Sequence, residues 1–168
     1  MKTKTDIIIN KLSLHAHPEG GYYKESYRSK EAITQDALPK RFMGNRNFST
    51  GIYFMLTKNN FSAFHRIHQD EMWHFYDGAA LYVHEIDNEG NYKKTEIGRE
   101  FDKGQIPQYV VPAGVWFASS VKDEGEYSLV GCTVAPGFDF ADFELAKRSE
   151  LIQKFPQHEK IIKHLTRK

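Results

Sequence analysis

The 168-residue chain is long enough for one domain with a real core and too short for a second full one. Its 23 Lys and Arg nearly balance 22 Asp and Glu with no long basic run, so it carries no electrostatic footprint for nucleic acid or an anionic membrane. No apolar run approaches the ~20 residues of a membrane span, and the N-terminus lacks the apolar region and cleavage site of a secretory signal. A cytoplasmic protein is therefore the default expectation. The aromatic fraction of 14%, with 12 Phe and 9 Tyr, suits a β-rich sandwich better than a helical bundle. Cys132 is the only cysteine, which excludes an intrachain disulfide. It sits in an apolar run expected to be a core strand, as a buried structural thiol.

In chain order, Thr5 and Asp6 offer N-cap chemistry for a short amphipathic helix over 5–14, with Ile8, Ile9 and Leu12 at helical spacing. His15-Ala16-His17-Pro18 ends it. Pro18 holds His17 extended, so the two histidines read as a solvated or locally bonded connector. Gly20 and Gly21 open a turn, after which Tyr22, Lys24 and Ser26 alternate with Tyr23, Glu25 and Tyr27 along a strand. Residues 29–47 are polar and read as a long loop over a barrel mouth. Strands follow at 48–56 and, after Asn59-Asn60, at 61–67. Further strands are expected at 79–86, 92–97, 108–111, 115–119 and 127–134, with turns at 87–90, 112–114 and 122–125. After Pro136-Gly137 the pattern becomes helical, through Leu151 and again around 159–165, with Pro156 between.

The stretch from Phe61 to Gly78 carries the densest chemistry. Phe61, Ala63, His65 and Ile67 alternate with Ser62, Phe64, Arg66 and His68, so His65 travels with an apolar set. Glu71, Trp73 and Phe75 form a second in-phase set, and Asp77-Gly78 ends the strand. His68 and His74 fall out of phase with His65 and Glu71, and each needs a bulge to point inward.

The spacing His65-x5-Glu71-x6-Gly78, with Pro112-Ala113-Gly114 downstream, resembles the two short motifs of the cupin superfamily over roughly residues 48–135. His65 falls on the first motif's first histidine and Glu71 on its glutamate. Ile67 stands where the second histidine belongs, and Phe117 where the third does. Gly21, Tyr23, Glu25 and Tyr27 are also similar to an early strand of the sugar-nucleotide 3,5-epimerase branch, with Gly20 at that branch's arginine. The resemblance implies an all-β fold, a double-stranded β-helix or cupin jelly roll. One domain over 1–168 is expected, with a barrel core at about 20–135, a short N-terminal helix, and C-terminal helices at about 138–166 packed outside the barrel.

Two motif ligands are missing, so no resident metal or other cofactor is expected, and a metal-dependent dioxygenase or isomerase is the least favoured reading. The epimerase resemblance implies His65 as a base that moves a proton beside a carbonyl, with Glu71 or Glu25 fixing its tautomer and Tyr23, Tyr27 or Tyr127 relaying a proton. The site is thus His65 and Glu71 as catalytic residues, with Tyr23, Glu25, Trp73, His74, Trp116 and Phe117 lining a pocket for a small polar or carbohydrate-like ligand. A barrel that only binds such a ligand, with His65 and Glu71 as a satisfied buried pair, is the alternative. The expected partners are that small molecule and a second copy of the chain. The homodimer follows from the run 51–56, which is apolar on both faces.

Overall fold

The computed structural model describes residues 2–123 and 125–168. In chain order the elements are α1 (Lys4–Leu12), β1 (His15–Ala16), β2 (Tyr22–Arg28), β3 (Ala32–Ile33), β4 (Arg46–Asn47), β5 (Thr50–Thr57), β6 (Phe61–Arg66) and β7 (Asp70–Gly78). There follow β8 (Leu81–Ile86), β9 (Tyr92–Ile97), β10 (Gln108–Val111), β11 (Trp116–Val121), β12 (Tyr127–Ala135), β13 (Glu144–Leu145), α2 (Arg148–Lys154) and α3 (Glu159–His164). All strand pairings between these elements are antiparallel. The expected turn at 122–125 contains residue 124, which lies outside the described residues.

Two sheets form the jelly roll, one ordered β1-β2-β5-β12-β7-β10 and the other β13-β6-β11-β8-β9. Period-two alternation sends Phe54, Leu56, Trp73, Leu81, Val83, Val111, Phe117, Val130 and Cys132 into the space between them. The opposite faces are covered at two places. Phe64, Ile86, Trp116 and Ala118 pack under Leu151, Phe155, Ile162 and Leu165 of the C-terminal segment. Met55, Tyr127 and Leu129 pack under Ile8, Ile9 and Leu12 of α1. The second apolar face of the run 51–56, expected to be covered by a partner chain, is thus covered by α1. That helix starts one residue earlier than its sequence suggested, and its cap is Thr3 instead of Thr5 or Asp6: Thr3 forms a reciprocal capping box with Asp6.

Two bulges break the simple alternation. Opposite Phe117 and Ser119 stand His65 and Ser62, so β6 carries one more residue than β11 over that interval. The extra residue puts Ser62 on the same side as His65 and turns Phe61 outward to the Phe64 cluster, correcting the expectation that Phe61 shares the face of His65. In β2 the register shifts between Glu25 and Tyr27 against β5, and Tyr27 becomes 57% exposed instead of continuing the face of Tyr23.

Residues 29–47 hold a small β3–β4 sheet and a 3-10 turn over Gln35–Ala37, and none of them lines the cavity between the two large sheets. The mouth is rimmed instead by the segment after Gly137, where Phe138, Asp139, Phe140 and Phe143 face the cavity. This segment is fastened by charge. Arg46, 4% exposed, donates from Nε and Nη2 to Asp142 Oδ2 and Oδ1 at 2.7 and 2.6 Å, and Gln69 Nε2 donates to Oδ2 at 2.7 Å. A buried bidentate pair of this kind is destabilised far more by losing one member than it contributes as a pair. Asp142→Ala is accordingly expected to cost about 3–5 kcal/mol in urea unfolding, whereas Arg66→Ala, which breaks the exposed pair with Glu144, should cost under about 1 kcal/mol.

Candidate functional site

A cavity of about 450 Å³ opens between the sheets, a size suited to a small organic ligand. Its wall includes His15, His17, Glu19, Tyr23, Ile52, His65, Ile67, Glu71, Cys132 and Val134, with Phe138, Phe140 and Phe143 across from them in sequence. Lys24, Glu25, Arg28 and Asp139 are exposed lining residues and define the mouth; Glu19, His65, Glu71 and Cys132 are buried and define the floor.

The floor is organised by a turn between β1 and β2. His17 N donates to Gly21 O and Gly20 N to His17 O, both at 3.0 Å, while Ala63 N donates to Glu19 O at 2.8 Å and ties the turn to β6. Gly20 has φ 114°, and a Cβ there would stand 2.1 Å from Phe61 O, so only glycine lets the turn lie this close to β6. The result is a buried carboxylate, Glu19, aimed at the residues of β6.

Glu19 Oε2 lies 2.9 Å from His65 Nε2, and Ser62 Oγ donates to Oε1 at 2.8 Å, a pairing that the β6 bulge makes possible. His65 Nδ1 lies 2.7 Å from Ala63 O. A carbonyl only accepts, so Nδ1 carries a proton, and Nε2 faces a carboxylate. Burial works against the charged ring, but the Glu19 carboxylate, with smaller help from Glu71 and Ala63, holds His65 above its usual value. For Glu19, burial is likewise outweighed by His65, His17 and Ser62, and its carboxyl is held below the usual range. The pair is an imidazolium and a carboxylate. The sequence reading gave His65 the role of base and Glu71 or Glu25 that of orienting it. With both nitrogens engaged, the ring has no lone pair to offer, and the orienting carboxylate is Glu19.

Glu71 is the titratable group left over. Burial pushes its carboxyl up to about 7, with Glu19 adding to the rise and His65 and the Cys132 thiol opposing it. Cys132 beside it is driven well above its ordinary value, mainly by burial and then by Glu71, so it stays a thiol. A carboxyl that titrates near neutrality in a cavity wall can give or take a proton at physiological pH.

The remaining expected site residues separate clearly. Tyr23 lines the cavity between the rings of His15 and His17, at 4.5 and 4.6 Å between centroids. Glu25 lines the mouth, held by Arg28, which also reaches Asn47 Oδ1 and Phe138 O. Phe117, expected in the lining, instead backs the site from the core: it is 1% exposed and does not line the cavity, its ring centroid 4.0 Å from that of His65. Trp73 is 1% exposed in the core and does not line the cavity. Trp116 lies on the outer face of its sheet under the Arg66 guanidinium, because its neighbour Phe117 takes the inward position. His74, out of phase with Glu71 and Trp73, faces outward and bonds Thr133 Oγ1 and Gln108 Nε2. Of the three tyrosines considered for proton relay only Tyr23 reaches the cavity; Tyr127 packs beneath α1 with its hydroxyl on Asp77. Glu19 and His17 were missed by the sequence reading, although a carboxylate and a histidine packed against Gly20-Gly21 between two strands was the available signal.

Residues 6–146 match the family described as Cupin superfamily (DUF985). The chain belongs to this family. Over 162 residues this cupin is 32% identical to the uncharacterized protein YML079W of Saccharomyces cerevisiae, covering 91% of this chain and 80% of that one. The crystal structure of protein SO0799 from Shewanella oneidensis matches it with a TM-score of 0.88 and 38% identity over 99% of both chains. A hypothetical protein from Leishmania major matches with 0.89 and 35% over 99% of this chain and 100% of its own. Oxalate decarboxylase from Bacillus subtilis shares the fold alone, with a TM-score of 0.55 at 15% identity over 92% of this cupin and 37% of the decarboxylase.

Many cupins hold a metal on the motif positions, and these residues do not fit one. Ile67 and Phe117 present only carbon there, and His65 Nε2 is already committed to Glu19. Among the described residues no three His, Cys, Asp or Glu side chains are grouped as ligands. No helix among the described residues is long and apolar enough to cross a membrane.

Proposed function

We propose that this cupin is a proton-transfer isomerase or epimerase acting on a small carbohydrate-like carbonyl compound, with Glu71 as its acid and base. The reading is carried by one observation, the carboxyl of Glu71 held at about 7 in the cavity wall beside a fixed imidazolium–carboxylate pair. As carboxylate, Glu71 takes the proton from a carbon next to the carbonyl. The C–H electron pair becomes the new C=C bond, and the carbonyl pair moves onto oxygen. Return of the proton from Glu71 to the former carbonyl carbon, with the hydroxyl proton of the adjacent carbon passing to the former carbonyl oxygen, gives the isomer; the epimer forms when water entering through the mouth reprotonates the original carbon on its opposite face and Glu71 yields its proton to solvent. Atoms balance with no reactant beyond water. The aromatic rings of Tyr23, Phe138, Phe140 and Phe143 support the ligand class, since sugar C–H faces stack on such surfaces while hydroxyls meet the polar floor.

The test is solvent deuterium exchange, followed by proton NMR, into a panel of ketoses, their phosphates and keto-sugar nucleotides. Exchange beyond the protein-free rate in at least one compound is expected. Saturable binding with no exchange in any member would reject catalysis and select the second reading, a binding protein. That reading draws on the closed Glu19–His65 pair, which is satisfied without a substrate.

The outer face of the six-stranded sheet beyond α1 exposes Met72, Tyr76 and Val110, of which Met72 and Val110 are cross-strand partners. A second copy of the chain covering this strip is the assembly we propose. Sedimentation at micromolar concentration should give a dimer that Met72→Glu dissociates; a monomer for the unaltered chain would reject it.

A further inference from the structure

The backbone N–H of Glu19 donates to His17 Nδ1 at 3.2 Å. An amide can only donate, so Nδ1 holds a lone pair and the ring proton sits on Nε2; Glu19 Oε2, 3.6 Å from the same nitrogen, is beyond hydrogen-bond distance and is engaged by His65 at 2.9 Å. The charge state agrees with this geometry. Burial, with His65 and His15 acting the same way, holds His17 below its usual value against the pull of Glu19, and the ring is neutral at pH 7. Its orientation is fixed among Tyr23, Phe54, Phe140 and Phe143. Nε2 has no hydrogen-bond partner among the described residues and is open to solvent, and the residue lines the cavity. An oriented neutral N–H in a cavity wall with nothing to donate to is a built donor site.

We propose that His17 donates its Nε2–H to the substrate's carbonyl oxygen and stabilises the negative charge that collects there when Glu71 removes the neighbouring proton. The inference rests on the proton-transfer reading above and assigns it a second catalytic residue. A neutral imidazole suits this role because it remains a donor throughout, where an imidazolium would hand over its proton and trap the enediol. Glu19 thereby serves both rings, its carboxylate fixing His65 as a cation and its backbone amide fixing His17 as the neutral Nε2–H tautomer.

Two measurements test this. In protein with ¹⁵N-labelled histidine, His17, assigned by the signal lost in His17→Phe, should show a protonated Nε2 and unprotonated Nδ1 at pH 7. An Nδ1–H tautomer or an imidazolium overturns the proposal whether or not any compound turns over. The second uses dihydroxyacetone labelled with ¹³C at its carbonyl, present in excess over protein. The wild type should move the carbonyl signal downfield, His17→Gln, which keeps an N–H donor, should retain part of the shift, and His17→Phe should abolish it. A signal in the same place for wild type and His17→Phe overturns the proposal. If a ketose exchanges deuterium, kcat should fall about 10²–10³-fold in His17→Phe, and an unchanged kcat overturns it too. Failure of every ketose to exchange, with the tautomer and the His17-dependent shift both as expected, removes the Glu71 reading and leaves His17 as a carbonyl-binding donor.

Discussion

Replacing Glu71 by Gln is expected to slow deuterium exchange about 10²–10⁴-fold while making the protein more stable at alkaline pH. Both effects come from one property of the side chain. A carboxyl whose ordinary value is 4.5 and whose native value is about 7 keeps its proton in the folded protein over a pH range where the unfolded chain has lost it. Unfolding then releases a proton, so stability falls as pH rises from about 4.5, and the loss is complete above about 7. The interval corresponds to roughly 3 kcal/mol. Gln cannot ionise and has an oxygen to accept from Cys132. Urea unfolding of Glu71→Gln should therefore match wild type at pH 4 and exceed it by up to about 3 kcal/mol at pH 8. On the rate side the base must be ionised, which predicts kcat/KM rising with pH to a plateau above about 7. A variant less stable than wild type at pH 8, or a rate profile flat from pH 5 to 9, would show that the Glu71 carboxyl is not held protonated.

Such a trade of stability for a titratable group is common where a site needs a base at neutral pH. It also explains which features could be read from the chain alone. Periodicity is a local signal, and it located the long strands and placed His65 and Glu71 in one interior space. Bulges are not local signals. The extra residue in β6, which brings Ser62 round to Glu19, is set by pairing with β11 some 50 residues away in sequence. Glu19 escaped for the same reason: as part of a turn it reads as solvent-facing, and only the Ala63 N to Glu19 O bond and the close approach allowed by Gly20 bury it. Trp116 and His74 were drawn toward the site by residue type, although strand phase already separated them from Phe117 and Glu71. The rim was misplaced because a polar stretch of 19 residues looked like a natural cover, whereas the aromatic spacing of Phe138, Phe140 and Phe143 marks the segment that borders the cavity.

The charge pair beneath the site yields the largest effect on folding. Removing one partner by Glu19→Ala or by His65→Leu is expected to cost about 3–5 kcal/mol, because each change strands a buried charge or forces it to neutralise. In Glu19→Ala the loss of an acceptor also leaves Ser62 Oγ without its partner at 2.8 Å. The double variant should cost less than the sum of the two, since neither charge remains to be stranded, and the shortfall should be about 1–3 kcal/mol. Its pH dependence has a defined window. Glu19, held below its ordinary value, contributes stability that is present above about 4.5 and lost as pH falls through its native value. His65, held above its ordinary value, contributes stability that is full below about 6.5 and lost as pH rises through its raised value. Coupling measured by urea unfolding of all four proteins should be greatest between those limits and decline on either side. Strict additivity at pH 6 would mean that His65 is not a cation there. In that event the Glu71 carboxyl loses the neighbouring charge that keeps its value from rising further, and the proton-transfer reading loses its base at neutral pH.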